Sequence, residues 1–353
     1  MRRHRFYLFV LFLAACGRFG RGLSPIRLES IVTLGATTGD GAIATSPVVS
    51  ALHPGGFRIV TPAYSAITTL PMVFASSGEY LGNLHGDSTQ MGSFSGPTFT
   101  RFGPGDSIWV FDNTGRVLVF SPQRRYIRTV VLPNNPGDAE ILRDGRIIAS
   151  GDSGVLVVLY DARGLTLRGI GATHEDARWI QYNRSILPDT GATFWTMQRK
   201  PTWIVQHWDT LGKLLHTLKP RLDWLGPDNA PEYDFEHVYD RPPVADVSAA
   251  WLDHDRHLWI VGEVADRHWI NGLAPRDTAS KRTFPLDDFD KYLDTIIEVL
   301  DIPTGRVIAS TTFDRYYAVT GEAGVLAHVT RTSAGWQRAE LVRVVVDAPT
   351  SRP

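Results

Sequence analysis

The chain has 353 residues, of which 43% are hydrophobic and 21% are charged, and its formal net charge at pH 7 is -1. This composition is typical of a folded globular protein and excludes a chain that is disordered throughout. The nearly balanced charge provides no basic excess of the kind that nucleic-acid-binding proteins carry. The 32 glycines and 22 prolines indicate many turns, which favour short strands over long helices.

The first element in the chain has the order of a secretory signal. Arg2, Arg3 and Arg5 precede an apolar run at 6–15, and Cys16, the only cysteine of the chain, follows directly. An apolar run of about ten residues is too short to cross a bilayer as a helix, which takes about 20. Removing the three arginines would leave a net charge of -4.

The stretch Leu13-Ala14-Ala15-Cys16 resembles the bacterial lipobox. The resemblance implies that 1–15 is a lipoprotein signal peptide, that Cys16 is lipidated after cleavage, and that 16–25 is a linker. Gly17, rather than Asp, resembles the pattern of lipoproteins that reach the outer membrane. The expected location is therefore the bacterial cell envelope, with the protein held to the membrane by lipid on Cys16. An ordinary secretory signal with a chance cysteine is the alternative interpretation.

Beyond residue 25 the chain contains six copies of a two-part repeat. The first part is a turn followed by a β-rich strand, and its copies lie at 55–62, 105–112, 144–151, 191–198, 256–263 and 323–330. The second part is a strand, a small turn and another strand, and its copies begin at Met72, Val117, Val157, Ile204, Ile297 and Ala339. The copy at Ala339 lacks its last strand. The lone strand at 27–34 is predicted to supply it, which would close a ring and remove exposed sheet edges.

This pattern resembles the six-bladed β-propellers, and the stretch 92–122 is similar to NHL-like and TolB-like members. The resemblance implies an all-β, six-bladed β-propeller over 26–347, closed by the N-terminal strand and followed by a short tail at 348–353. A seven-bladed propeller and a pair of β-sandwiches are the competing folds. Six blades are favoured because the second part of the repeat occurs six times.

The repeat spacing is irregular, and the excess falls in two inserts, 221–243 and 263–294. Because an up-and-down blade changes face at every strand, both inserts are predicted to emerge on the same face. Long loops inside a domain are usually functional or disordered. These two are rich in aromatic residues: Trp224, Tyr233, Phe235, Tyr239, Trp269, Phe284, Phe289 and Tyr292.

Three interpretations of the inserts remain open. They could form a lid that makes a ligand site with Arg199 and Lys200, they could dock a protein or glycan partner, or their aromatic residues could pack on one another and on the core. The candidate ligand-binding residues are Arg199, Lys200, Trp224, Tyr233, Tyr239 and Trp269.

Signs of catalysis are weaker than signs of the fold. The acid- and histidine-rich stretch 253–257 is predicted to be a solvated turn on the face opposite the inserts. Glu140, Asn183 and Asp246 fall on predicted inner strands, where propeller hydrolases gather metal ligands, but they show no fixed pattern. The sequence has no nucleophile elbow, P-loop, zinc-protease motif or calcium loop, and no cofactor or metal is predicted. Trp109, Trp195 and Trp259 occupy one repeat position and are predicted to pack between blades.

The sequence thus predicts a lipid-anchored binding or scaffold module at the cell envelope, with an envelope protein, peptide or glycan as partner and no nucleic acid. The alternative is a metal-dependent hydrolase or lyase with its site at the channel mouth. A structural role in an envelope complex is a third possibility. Whether the protein is an enzyme is left open, because propellers host enzymes and binding modules alike.

Overall fold

A computed structural model of the chain describes residues 23–62, 70–86, 93–151, 154–172, 184–189, 192–198, 203–226, 239–273 and 288–346. These residues form six four-stranded antiparallel sheets arranged as a six-bladed β-propeller. The predicted all-β fold and the number of blades are therefore confirmed, and the seven-bladed and sandwich alternatives are excluded.

The first three blades are built from consecutive strands, with the innermost strand first. Blade 1 contains β2 (Pro47–Val49), β3 (Phe57–Pro62), β4 (Met72–Ala75) and β5 (Tyr80–Asn83). Blade 2 contains β6 (Pro97–Gly103), β7 (Ser107–Asp112), β8 (Arg116–Phe120) and β9 (Tyr126–Val131). Blade 3 contains β10 (Ala139–Ile141), β11 (Ile147–Ser150), β12 (Val155–Tyr160) and β13 (Thr166–Ala172).

The last three blades follow the same order until the ring closes. Blade 4 contains β14 (Arg184–Pro188), β15 (Thr193–Gln198), β16 (Ile204–Asp209) and β17 (Leu214–Leu218). Blade 5 contains β18 (Asp246–Leu252), β19 (His257–Ala265), β20 (Leu293–Asp301) and β21 (Arg306–Phe313). Blade 6 contains β22 (Ala318–Val319), β23 (Val325–Arg331), β24 (Gln337–Val346) and, as its outermost strand, β1 (Ile26–Leu34). The pairing of β1 with β24 runs from Ile26–Val346 to Leu34–Ala339 and confirms the predicted closure.

Every outermost strand carries a one-residue bulge where it pairs with the third strand of its blade. The unpaired residue is aliphatic in all six blades, and a bulge increases local twist and bends the strand away from its neighbour. The residues at this position are Leu81, Ile127, Leu167, Leu215, Ile308 and, in β1, Ile31.

The core lies between neighbouring blades rather than at one centre. Trp109 of blade 2 packs with Ile147 of blade 3, and Trp195 of blade 4 packs with Leu258 of blade 5. Trp259 of blade 5 packs in the same way against blade 6. The three tryptophans are buried, as predicted from their shared repeat position.

The bulges fix the register of the repeats and correct one sequence alignment. A comparison of the copies places Arg58 and Leu326 level with Trp109, but the structure places Ile59 and Ala327 there. Arg58 instead occupies the neighbouring position, which is apolar in the other five blades: Ile108, Ile147, Phe194, Leu258 and Leu326. Its side chain is only 3% exposed and pairs with Glu322 of blade 6.

The two inserts connect the strands that the sequence predicted. Residues 219–245 join β17 to β18, and residues 266–292 join β19 to β20. Since successive strands run in opposite directions, both connections emerge on the same face, which we call the insert face. Within the described ranges, no helix combines the length and the apolar character needed to cross a membrane.

Candidate functional site

Three of the six candidate ligand-binding residues are described, and they lie at the ends of the two inserts. Trp224 is in the first insert near β17, Tyr239 is in the same insert nearer β18, and Trp269 follows β19 in the second insert. Arg199, Lys200 and Tyr233 lie outside the described residues, so their joint role with the tryptophans stays a prediction.

Trp224 packs into the interface between blades 4 and 5. Its ring contacts Gly262 of β19, where a Cβ atom would come within 2.2 Å of the indole. Only glycine fits beneath the ring at this position. The indole also neighbours the buried Glu298 of β20. Burial raises the pKa of Glu298, although Trp224 and Ser310 oppose the shift. These contacts make Trp224 part of the blade interface and fix the start of the first insert.

The second insert begins and ends in two short 3₁₀ helices that pack on each other. Trp269–Gly272 and Phe289–Lys291 are joined by a hydrogen bond from the Asp288 amide to the Gly272 carbonyl, at 3.0 Å. A Cβ atom on Gly272 would lie 2.6 Å from the Asp288 carbonyl oxygen, so the close approach requires glycine. The acidic stretch that follows Asp288 forms a single 3₁₀ turn, Phe289–Lys291.

Aromatic contacts complete the packing of this insert. The Trp269 ring meets buried Tyr292 edge-on at 6.3 Å, and Tyr239 from the first insert packs into the same cluster. Phe289 stacks on Tyr316, which lies between blades 5 and 6, at 4.9 Å. The two inserts thus contact each other on the insert face, as the strand order predicted.

An ion pair fastens the second insert to blade 6. His328 of β23 is buried, and its Nε2 lies 2.7 Å from Oδ2 of Asp290. The other oxygen of Asp290 accepts a hydrogen bond from the Tyr316 amide at 3.2 Å. Burial alone would raise the pKa of Asp290, but the hydrogen bond and charge of His328 outweigh it and hold the pKa below its usual value. The sequence offered no signal for this pair, because its partners are far apart along the chain.

Two large apolar side chains remain on the outside of this rigid base. Ile270 is 53% exposed and Phe289 is 44% exposed, although each belongs to a 3₁₀ helix that is held in place by buried neighbours. Aromatic residues, phenylalanine included, are enriched at protein interfaces. The end of the second insert therefore presents a preorganised apolar surface.

Three carboxylates gather beside this surface on blade 5. Oxygens of Asp266, Asp294 and Asp314 all lie within 4.8 Å of one another. Burial and the two neighbouring acids raise the pKa of Asp294 to about 6, against the opposing charge of Arg267. Oδ1 of Asp294 is buried without a hydrogen-bond partner. Carboxylate oxygens are the ligands that Ca²⁺ takes, so these are the described residues that could hold a hard cation. The sequence analysis missed them, because Asp266 and Asp294 lie at opposite ends of the second insert and Asp314 follows a different strand, β21.

The inner strands carry a second polar cluster, which includes Glu140. The Nε of Arg101 on β6 lies 3.0 Å from Glu140 Oε1 on β10, and Nη2 lies 2.5 Å from Asp138 Oδ1. The second oxygen of Asp138 accepts the amide of Ile186 in blade 4 at 2.8 Å. Burial raises the pKa of Glu140 to about 7 even though Arg101 opposes the shift. The cluster connects blades 2, 3 and 4, and Glu140 is part of it.

Of the other two inner-strand candidates, only Asp246 is described. Asp246 begins the inner strand of blade 5, two blades from Glu140, and its Oδ1 accepts the Val247 amide at 2.9 Å. Asn183 lies outside the described residues, one position before β14 begins.

The acid- and histidine-rich stretch 253–257 forms the turn between β18 and β19, on the face opposite the inserts. Asp253 lies 3.0 Å from Nδ1 of His257 and accepts the Trp259 indole N–H at 2.9 Å. In blade 4, Asp189 accepts the Trp195 indole N–H with the same six-residue spacing, at 3.2 Å. The repetition identifies these acids as supports for the buried tryptophans.

Comparisons with known proteins establish the fold alone. No protein-family model matches the chain, and no curated protein matches it. Among solved structures, a Bacteroides fragilis protein named "Putative exported protein" is similar over 92% of this chain and 96% of its own, with a TM-score of 0.58 and 10% identity. U3-55K covers 90% of this chain and 98% of its own, with a TM-score of 0.51 and 9% identity. The RRP9 WD40 repeats cover 90% and 100%, with a TM-score of 0.50 and 9% identity.

Proposed function

We propose that this protein is a lipid-anchored binding module of the bacterial cell envelope, and that the insert face of blades 5 and 6 binds its partner. The observation that carries the proposal is the second insert. Ile270 and Phe289 are exposed on 3₁₀ helices whose positions are fixed by Asp290, Tyr292 and neighbouring residues. A surface that is ordered before binding loses little conformational entropy on association.

The location rests on separate support. The lipobox-like stretch ending at Cys16 favours lipidation and export, and the structural similarity to a Bacteroides fragilis protein named as exported agrees with it. Two or three acyl chains on one residue would give stable attachment to a membrane. The unpartnered apolar surface and the expected anchor together favour a protein or glycan partner in the envelope.

Site-specific photocrosslinking in living cells tests the partner surface. A photoreactive amino acid at position 270 should yield a discrete crosslinked product, whereas the same residue at position 81, an exposed leucine at the opposite face of blade 1, should not. Phe289→Ala should weaken the crosslink from position 270 while leaving the melting temperature nearly unchanged. A glycan partner would appear as binding to isolated cell-wall sacculi that Phe289→Ala reduces. Equal crosslinking from both positions, with no binding to sacculi, would contradict the proposal.

The anchor needs its own experiment. Cells expressing the chain should incorporate a labelled fatty acid into the protein, and Cys16→Ser should abolish both the label and the membrane fractionation. Labelling that survives Cys16→Ser would overturn the assignment of the lipid to this residue.

A further inference from the structure

The outer rim of blades 3 and 4 exposes an unusual amount of aliphatic surface. Leu211 is 72% exposed, and four further leucines of these two blades are between 43% and 58% exposed. We call these residues the leucine rim: Leu165, Leu167, Leu211, Leu214 and Leu215. On blade 4, four consecutive residues of β17 are exposed, so both faces of this strand meet solvent. Blades 1, 2 and 5 each expose one or two aliphatic residues at their rims.

Blades 3 and 4 contact each other where these leucines lie. The guanidinium of Arg168 on β13 donates a hydrogen bond to the Leu211 carbonyl in the turn of blade 4. A Cβ on Gly212 would contact Arg168 and Ile170 of the same strand. The turn of blade 4 therefore rests directly on the outer strand of blade 3.

The charges beside the leucine rim are predominantly basic toward solvent. Arg163 is 76% exposed, and Arg168 and Lys213 lie on either side of the leucines. The two acids of the same turns accept backbone amides, and Oδ2 of Asp161 also pairs with Nε of Arg163 at 3.2 Å, so three basic side chains stand against two acids here. Asp161 accepts the amides of Arg163 and Leu165 at 2.8 and 2.9 Å, and Asp209 accepts those of Leu211 and Lys213 at 2.9 and 2.8 Å. Exposed leucine beside arginine and lysine is the composition of surfaces that rest on anionic lipid.

The start of the folded chain lies at the same end of the propeller. The turns that hold Leu165 and Leu211 precede outermost strands, and β1 is itself an outermost strand that runs in the same direction. Just before β1, the Ser24 amide donates to the Ile308 carbonyl on the rim of blade 5, the next blade around the ring. A lipid on Cys16 would therefore be tethered by a short segment to the end of the ring that carries the leucine rim.

We infer that the leucine rim is a membrane-docking surface: it lies against anionic phospholipid and orients the propeller on the membrane. The tether part of this argument rests on the proposed lipid anchor, whereas the composition of the rim does not. Docking at this end would leave the insert face directed away from the lipid.

Vesicle flotation of the chain from Gly17 onward tests the surface without the acyl group, since all strands lie within 26–346. The vesicles are phosphatidylethanolamine with about 30% phosphatidylglycerol, and pure phosphatidylcholine serves as the neutral reference. We expect binding to the anionic vesicles that falls in high salt and is weak on the neutral ones. Leu167→Ser with Leu215→Ser should lower the partition coefficient about tenfold, because two half-exposed leucines no longer enter the lipid.

The chain offers a matched control pair at the same structural position. Leu81 and Ile127 are the bulge residues of blades 1 and 2 and are 41% and 55% exposed. Leu81→Ser with Ile127→Ser should leave vesicle binding within about twofold of the unmodified chain, and circular dichroism should show equal folding of both pairs. Equal losses from the two pairs, or no binding to anionic vesicles, would overturn the inference.

Light scattering separates lipid from a second copy of the chain. A monomer in solution is expected. A dimer that dissociates in the Leu167→Ser, Leu215→Ser variant would show that another copy covers the rim and would overturn lipid docking. Because the flotation experiment contains no acyl group, its failure would leave the assignment of the lipid to Cys16 standing. A failure of the fatty-acid labelling would in turn leave the flotation result unchanged.

Discussion

The apolar cluster around Trp109, between blades 2 and 3, and the ion pair of Arg58 with Glu322, between blades 6 and 1, do the same structural task with different chemistry. Between blades 2 and 3, Trp109 and its neighbours bury an apolar surface with tight packing. Between blades 6 and 1, where the ring closes, a buried arginine replaces the apolar residue at one repeat position and pairs with Glu322. The Nε of Arg58 has no hydrogen-bond partner there.

The difference teaches what each kind of interface contributes. Apolar surfaces stabilise in proportion to the area buried and tolerate small shifts between blades. A buried ion pair adds little net stability but penalises any arrangement that separates its partners. We therefore interpret Arg58 and Glu322 as a pair that defines how blade 6 meets blade 1, and the apolar interface as a source of stability.

The largest effect is expected at the apolar interface. Trp109→Ala removes a side chain that is 3% exposed and should lower the free energy of unfolding by about 3–5 kcal/mol. Urea denaturation measures the change, and Trp109→Phe, which keeps most of the volume, should cost clearly less. A loss below about 1 kcal/mol would mean that blade 3 closes over the gap.

The next largest loss of stability is expected at the ion pair between blades 6 and 1. Glu322→Ala leaves the buried guanidinium of Arg58 without its counter-charge and should cost about 3 kcal/mol. Adding Arg58→Met should restore more than half of that loss, since this repeat position then becomes apolar, as it is in the other five blades. A double-mutant cycle measures the coupling. Additive losses would show that the two residues do not act as a pair.

A smaller effect is expected where the insert is fastened to blade 6. Asp290→Asn should cost about 1 kcal/mol at neutral pH, because the pair with His328 is partly exposed. The pKa of Asp290 is held low in the folded state, so its contribution is present above the unfolded pKa and is lost as the pH falls through the folded one. The variant should therefore lose less stability than the unmodified chain on acidification below about pH 4.

Amide hydrogen exchange distinguishes this pair from a surface charge. Asp290→Asn should accelerate exchange at the Tyr316 amide, whereas Lys291→Ala, which removes an exposed pair with Asp288, should not. Unchanged exchange in both variants would indicate that the aromatic contacts alone hold the insert.

Among the three acids of blade 5, negative charge destabilises the folded state. Asp294→Asn should raise the melting temperature by about 1–3 °C at pH 7.5 in EDTA, since it removes repulsion from Asp266 and Asp314. The pKa of Asp294 is raised to about 6, so the folded state favours its protonated form. The unfavourable contribution appears as the pH rises through about 6, and the gain should vanish at pH 4. Destabilisation at pH 7.5 would contradict this.

The smallest change in stability is expected at an exposed ion pair. Arg27 and Glu29 form an ion pair on β1 with both side chains about half exposed. Arg27→Ala should change the free energy of unfolding by less than about 0.5 kcal/mol. A larger loss would show that charge on β1 contributes to ring closure beyond the buried pair.

The fold was predictable because local sequence patterns determine it. Repeated strand segments, turn glycines and a lone strand at 27–34 predicted six blades and their closure, and a repeated tryptophan position predicted the blade interfaces. The exact alignment of Arg58 was not predictable, since a shift of one residue in a strand moves a side chain to the other face and only the bulges reveal it.

The candidate site was predictable in position but not in chemistry. Strand order placed both inserts on one face, and aromatic content marked them as ordered. The contacts that fix them, such as Asp290 with His328 or Trp224 with Gly262, join residues that no local pattern relates. The grouping of Asp266, Asp294 and Asp314 likewise depends on the two ends of the second insert meeting the end of β21 in space.

The strand β1 also constrains the order in which the protein can be made. It precedes every other strand of the propeller in the chain, yet its partner is the last of them, β24. The ring therefore cannot close until all six blades have been synthesised, and contacts between such distant segments form slowly. Until β24 is available, the edge of β1 that it will cover stays without its partner strand.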